Sequence, residues 1–248
     1  MNACFISDVG KMRKVNEDSG GVFYNESNQM LTVIADGMGG HQAGDIASDL
    51  TSKHIQKLWE KTADMTNVDD VKEWLRQTIL KTNEYVLSHA ENNKECVGMG
   101  TTVVATVYLE DDIVVAHVGD SRLYQVNQDS IIQVTEDHSF VQQLVNNGEL
   151  TEEEAEAHPK KNVLLQALGT ETNIKVDVNH VSWKEQDYIL SCTDGLSNKL
   201  TNEEIHNTLL LEQSLEEKVH HLVSLANEHG GEDNISVVLV QRKEGDDV

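Results

Sequence analysis

The sequence predicts an α+β fold in which antiparallel sheets carry their helices on the outside. Three observations lead there. Strand-like runs arrive in meanders, helical periodicity comes in separate blocks, and strands do not alternate singly with helices as they do in a doubly wound parallel sheet. The runs fall near residues 3–8, 30–36, 102–109, 112–119, 121–126, 130–134, 187–193 and 235–241. Glu110-Asp111-Asp112 sits between two of them as a hairpin turn. Helical spacing runs from about 43 to 61 and from 68 to 92. In the second stretch Val71, Leu75, Ile79, Thr82, Val86 and Leu87 form a core-facing stripe. Two further helices are expected near 202–211 and 214–229. The stretch 137–172 reads differently, with the acidic run Glu152-Glu153-Glu154-Ala155-Glu156 and the punctuation of Asn146-Asn147-Gly148 and Gly169. It is expected to be an insertion packed on the body, a candidate flap over a site. With one proline, Pro159, and no Ser/Gly-rich linker, residues 1–248 read as a single domain.

Composition narrows the function. Hydrophobic residues at 38% and charged residues at 25% are ordinary for a chain that buries a core. The formal charge of −24, from 43 acidic against 19 basic residues, argues against binding nucleic acid or an anionic membrane, which need a cationic surface. Cys4, Cys96 and Cys192 are odd in number and far apart, as expected of reduced cytosolic thiols. The opening residues are too short and acidic for a signal peptide, and apolar runs of about 18 residues are absent. A cytoplasmic protein is expected.

Four apolar runs meet an aspartate with a glycine or asparagine beside it. They are 31–37 ending at Asp36-Gly37, 114–120 ending at Gly119-Asp120, 188–195 ending at Asp194-Gly195, and Asp233-Asn234 ahead of 235–240. An Asp-Gly pair is expected to close each strand into a turn where backbone can approach a ligand. Four such ends spread along the chain suggest converging carboxylates, which repel one another unless a hard cation intervenes. An all-oxygen donor set selects Mg²⁺ or Mn²⁺, or Ca²⁺ in a larger cage. No EF-hand loop or H-E-x-x-H occurs to favour calcium sensing or zinc hydrolysis. Two ions about 4 Å apart could share an aspartate and a bridging water, and a phosphate ester is the natural target. Arg13, in Arg13-Lys14-Val15-Asn16-Glu17-Asp18, is the candidate phosphate fork, with pairing to Glu17 or Asp18 as the structural alternative. Arg122 competes for that role but is better placed to brace its own turn.

The ordered segments Arg13-Lys14-Val15-Asn16-Glu17-Asp18, Asp36-Gly37-Met38-Gly39-Gly40-His41, Gly100-Thr101-Thr102, Gly119-Asp120-Ser121-Arg122, Thr135-Glu136-Asp137-His138-Ser139, Thr193-Asp194-Gly195-Leu196 and Asp233-Asn234-Ile235-Ser236 cover nearly the whole chain. In that order they resemble the bacterial metal-dependent serine/threonine protein phosphatases of the type 2C family. The resemblance implies a four-layer α-β-β-α sandwich, two antiparallel sheets flanked by helices, with a flap subdomain at about 145–172. It implies that Asp36 bridges two Mn²⁺ or Mg²⁺ ions and that the Gly37 carbonyl binds one of them. Asp194 and Asp233 would hold the other, Glu17 would act through a water, and Asp18 would support it. A third, weaker ion would sit at Asp120 with Asp194, and Arg13 would bind the phosphate.

In animal members a histidine follows the Asp-Gly as proposed acid, and here Met38 stands there. His41 is the candidate general acid in its place, the alternatives being that it orients a water or that water is the acid. His158 in the flap is a candidate substrate contact, His117 a core residue, and His220-His221 a solvent-facing pair. The expected activity is hydrolysis of phosphoserine and phosphothreonine by a metal-bridging hydroxide attacking phosphorus in line, without a phosphoenzyme. Phosphorylated proteins and a cognate serine/threonine kinase are the expected partners of a monomer. The alternative is a catalytically weak phosphoprotein-binding module on the same fold.

Overall fold

The computed structural model describes residues 1–39 and 43–242. In chain order its elements are β1 (Asn2–Asp8), β2 (Asp18–Tyr24), β3 (Met30–Met38), α1 (Ala43–Trp59), α2 (Val68–Asn92), β4 (Gly100–Thr101), β5 (Val103–Tyr108), β6 (Asp112–Val118), β7 (Arg122–Val126) and β8 (Ile131–Gln133). They continue with α3 (Phe140–Asn146), α4 (Glu152–Glu156), β9 (Asp177–Ser182), β10 (Tyr188–Cys192), α5 (Asp194–Ser197), α6 (Asn202–Leu209), α7 (Leu215–Glu228) and β11 (Ile235–Gln241). One sheet has the order β1-β11-β10-β7-β8. The other has β2-β3-β5-β6-β9 with β4 added to β3, and every pairing is antiparallel.

The alternation of β3, β5 and β6 sends one set of side chains to each face of the second sheet. Leu31, Val33, Val103, Ala105 and Val107 pack outward beneath Ile55 and Trp59 of α1 and Val71, Leu75 and Ile79 of α2. Ile34, Val104, Tyr108 and Val115 point the other way and meet Leu123, Ile189, Val238 and Val240 of the first sheet. The outer face of that first sheet carries Leu190, Cys192, Val237 and Leu239 against Ile205 and Leu209 of α6 and Val219, Leu222 and Ala226 of α7. Three apolar layers between four structural layers make the expected sandwich. His117 is 1% exposed on β6, as its mid-strand position predicts, while His220 and His221 face solvent.

Three strands escaped the sequence reading, one of them the two-residue β4. β2 carries Gly20-Gly21 in its middle, and β9, an edge strand, presents Asn179, His180 and Ser182 to solvent, so neither shows a strong apolar run. The insertion is pinched off by the Ser139–Leu164 bridge, earlier than the expected 145. Leu168 is fully buried and bridges Thr101, so this end of the expected range belongs to the body.

Candidate metal centre

The antiparallel register brings the aspartates to one end of the sandwich. Asp18, the first residue of β2, pairs with Asp36 near the end of β3. Asp120 follows β6, Asp194 follows β10, and Asp233 precedes β11, all at that same end.

Each carboxylate is fixed by its backbone neighbours. The Asp36 N–H donates to Thr102 Oγ1 at 2.9 Å, and its carbonyl accepts from Thr102 N at 2.8 Å and Thr101 Oγ1 at 2.9 Å. Thr102 Oγ1 also meets Ser121 Oγ at 2.7 Å, which ties the Asp36 strand to the turn holding Asp120. Asp36-Gly37 is not the turn expected of an Asp-Gly pair: β3 runs on through both residues to Met38, pairing Gly37 with Thr101. The reason for glycine is space, because a Cβ at Gly37 would lie 2.0 Å from the Gly44 carbonyl oxygen of α1. Asp194-Gly195 is likewise no strand turn but the opening of α5. Only Gly119, at φ +106°, makes the expected bend beside its aspartate.

The amino-terminal loop folds onto the last of the four aspartates. Asn234 accepts from Glu17 N at 2.8 Å and donates to the carbonyls of Val9 at 2.9 Å and Val15 at 3.0 Å, so it holds both ends of the loop bearing Arg13. Arg13 is exposed, with Nη2 2.8 Å from Asp233 Oδ2 and Nη1 3.8 Å from Glu17 Oε2. The Glu17 carbonyl accepts from Gly37 N at 3.0 Å and Ser48 Oγ at 2.5 Å. Arg122 is no free phosphate fork, since its guanidinium grips Asp137 with the shortest contact 2.7 Å.

Mutual repulsion in a recessed site shows in the acidities. Burial, then the charges of Asp18, Asp194, Asp120 and Asp233, pushes Asp36 well above the carboxylate range. Burial pushes Asp18 up to about 7 against the pull of hydrogen bonds from Ser236 and Thr193. Burial, then Asp194 and Asp137, pushes Asp120 up to about 8. Burial and the Asp233 charge raise Asp194, partly offset by a hydrogen bond with Asp36. Burial, opposed by Arg13, raises Glu17.

These groups fit a divalent cation. Asp18 Oδ2 accepts from Thr193 Oγ1 at 2.9 Å, but its Oδ1 is buried with no hydrogen-bond partner. A buried orphan oxygen among acids held above their ordinary pKa is costly unless positive charge is supplied, and an all-oxygen donor set suits Mg²⁺ or Mn²⁺.

Beside the carboxylates a cleft of about 720 Å³ reaches Asp120 and Asp194. The insertion lines one wall through Val141, Val145 and Ala155, and Ser197, Leu200 and Thr201 line the other. His158 does not line it: its Nδ1 accepts from Lys160 N at 3.1 Å and its ring lies 6.2 Å from that of Phe140. His41 lies outside the described residues. Thr102, Ser121, Thr193 and Asn234, whose side chains hold the site, lie within the motif segments of the sequence but had no role assigned from sequence, because their hydrogen bonds depend on three-dimensional register.

Residues 11–236 match the family model described as Protein phosphatase 2C. The serine/threonine phosphatase stp of Listeria welshimeri is 42% identical over 242 residues, covering 98% of this chain and 96% of that protein. The solved structure of serine/threonine phosphatase Stp1 from Staphylococcus aureus is 37% identical, with a TM-score of 0.94 over 98% of this chain and 95% of that one. The catalytic domain of serine/threonine protein phosphatase PstP, solved in complex with two manganese ions, is 30% identical with a TM-score of 0.84 over 98% of both chains.

Proposed function

Because this chain belongs to the protein phosphatase 2C family, we propose a specific division of labour among the residues at the end of its sandwich. The protein is a serine/threonine protein phosphatase, a hydrolase acting on phosphoproteins with divalent metal. Asp36 would be the ligand shared by two Mn²⁺ or Mg²⁺ ions, with the Gly37 carbonyl at one of them. Asp194 and Asp233 would hold the other, Glu17 would act through a water, Asp18 would support the set, and Asp120 with Asp194 would take a third. The observation that carries this reading is the group of raised carboxyls around the orphan Asp18 Oδ1.

When bound, the ions supply charge for the phosphoryl oxygens and activate water as the nucleophile. The chain's own residues do the rest. Arg13 offers its planar fork to two phosphoryl oxygens at the mouth of the site, where its exposure leaves it accessible. The water oxygen adds to phosphorus as the bond to the serine or threonine oxygen breaks, so inorganic phosphate leaves and no side chain is phosphorylated. His41 is the proposed proton donor to the departing oxygen, since an imidazole titrates near neutrality. The cleft between the insertion and α5 takes the peptide flanking the phosphoresidue. Phosphorylated proteins and a serine/threonine kinase are the proposed partners of a monomeric, single-domain protein. Its three free cysteines suit a reducing cytoplasm.

Purified protein is expected to release inorganic phosphate from a phosphothreonine peptide in Mn²⁺, to stop in chelator, and to resume when Mn²⁺ is restored in excess. Peptide binding without metal-dependent release would move the reading to a phosphoprotein-binding module. Arg13→Lys keeps the charge but loses the fork, so KM for the peptide should rise about tenfold with a smaller change in kcat. An unchanged KM would leave Arg13 as no more than the ion-pair partner of Asp233.

A further inference from the structure

Among the described residues, a cluster the proposed chemistry does not use lies behind Asp120. His117, His138 and Asp177 each place a ligand atom within 4.8 Å of the others, a spacing a metal ion could accept. Their hydrogen bonds give them another job. The Gly119 N–H can only donate, and it meets His138 Nδ1 at 3.2 Å. That nitrogen therefore carries the lone pair, and Nε2 carries the proton, which points to Asp177 Oδ2 at 3.2 Å. Asp177 is itself held by Lys175 Nζ at 2.8 Å. His117 donates from Nε2 to the Glu136 carbonyl at 2.8 Å and stacks on the His138 ring, with centroids 4.7 Å apart. With both nitrogens of His138 committed, the imidazole is a clamp.

What it clamps is the turn that carries Asp120. His138 grips Gly119 twice, through the side-chain bond above and through its own N–H to the Gly119 carbonyl at 3.0 Å. Gly119 needs such a grip. Its φ of +106° is open to glycine, and a Cβ there would lie 2.6 Å from Thr102 Cγ2, so no side chain of its own can lock the turn. From the other end of the same turn, Arg122 is held by Asp137, the residue before His138. The residue after it, Ser139, caps α3, and the His138 carbonyl accepts from Leu165 N at 2.8 Å. One residue thus joins the root of the insertion to the aspartate turn.

We propose that His138 is a positioning residue for Asp120: its Nδ1 fixes the Gly119–Asp120 turn, and Asp177 orients the ring. The proposal rests on Asp120 being a metal ligand, as in the functional reading above. Two substitutions separate the bonds. His138→Asn places an amide oxygen near the position of Nδ1 and can still accept from Gly119 N–H. His138→Gln puts its amide near Nε2 and cannot.

Titration calorimetry of the intact chain with Mn²⁺ alone, beside melting temperatures, reads the effect. Asp120→Asn should weaken the loosest Mn²⁺ site. His138→Gln should weaken it about tenfold, the low end of what loss of a supporting hydrogen bond does to metal affinity, and His138→Asn should stay within about twofold of wild type. If Asp120→Asn binds Mn²⁺ as wild type does, the ligand assignment fails and the proposal falls with it. If Asp120→Asn is weakened but His138→Gln is not, the proposal alone fails. Equal weakening by both His138 variants would mean a packing role and also overturn it. Should His138→Gln not fold, Asp177→Ala carries the question: weakening of about threefold or more supports the clamp, and a wild-type value rejects it.

Discussion

Asp36→Asn is expected to lower kcat/KM on a phosphothreonine peptide by about a thousandfold or more, roughly 4 kcal/mol of transition-state stabilisation. Asparagine matches the shape of aspartate, and the bonds that place residue 36 are made by its backbone with Thr101 and Thr102, so the strand survives the change. What is lost is the negative charge proposed to be common to two cations. The same loss relieves repulsion, because Asp36 is the carboxyl most burdened by its neighbours. The variant should therefore melt at or above the wild-type temperature in chelator while remaining inactive in Mn²⁺. Activity near wild type at saturating Mn²⁺ would exclude the bridging role.

The second large effect is a fall in stability with rising pH when divalent metal is chelated. Asp18 and Asp120 are pushed up to about 7 and about 8 in the folded chain, against about 3.9 for an ordinary aspartate in an unfolded one. Between those limits the folded chain keeps protons that the unfolded chain has released. Stability then falls as pH rises, starting near pH 4, most steeply between about pH 5 and pH 7, and levelling above about pH 8. In chelator the melting temperature should drop by several degrees between pH 5 and pH 8. Asp120→Asn should flatten that slope, and saturating Mn²⁺ should abolish it by binding the deprotonated form. A melting temperature that is flat or rising over this window in chelator would contradict the burial-driven acidities.

Much of the fold was legible because β3, β5, β6, β10 and β11 are buried on both faces and read as mostly apolar runs with single polar interruptions. β2 and β9 were not, for the opposite reason: glycines in one and solvent-facing polar residues in the other leave little pattern to detect. The site divides along similar lines. Asp36, Asp120, Asp194 and Asp233 stand at the ends of strong runs, so topology alone gathers them. The Asp-Gly pairs misled, since local turn chemistry gave way to tertiary packing. Gly37 serves the close approach of α1, and Gly195, where a Cβ would lie 1.9 Å from the Asn234 carbonyl oxygen, serves the close approach of the segment ahead of β11. The hydroxyl link from Thr102 to Ser121 and the clamp of His138 on Gly119 join residues 19 apart in sequence across a strand pair. Such links depend on three-dimensional register and leave no periodic trace.

The place of β11 has a consequence for how the molecule comes into being. It lies between β1 and β10, so the seam joining the earliest strand to the rest of its sheet is the last to be made. Asn234, just ahead of it, ties the loop of Arg13 across more than two hundred residues of intervening chain. Contacts of that span are slow to form, since a long loop must close before they stabilise anything. During synthesis Asp233 and the loop of Arg13 therefore stay apart until β11 emerges, whereas Asp18, Asp36 and Asp120 are gathered by β2, β3, β5 and β6 of the other sheet. A nascent chain halted short of β11 holds three of the four strand-end aspartates, and completion of the site waits on that one strand.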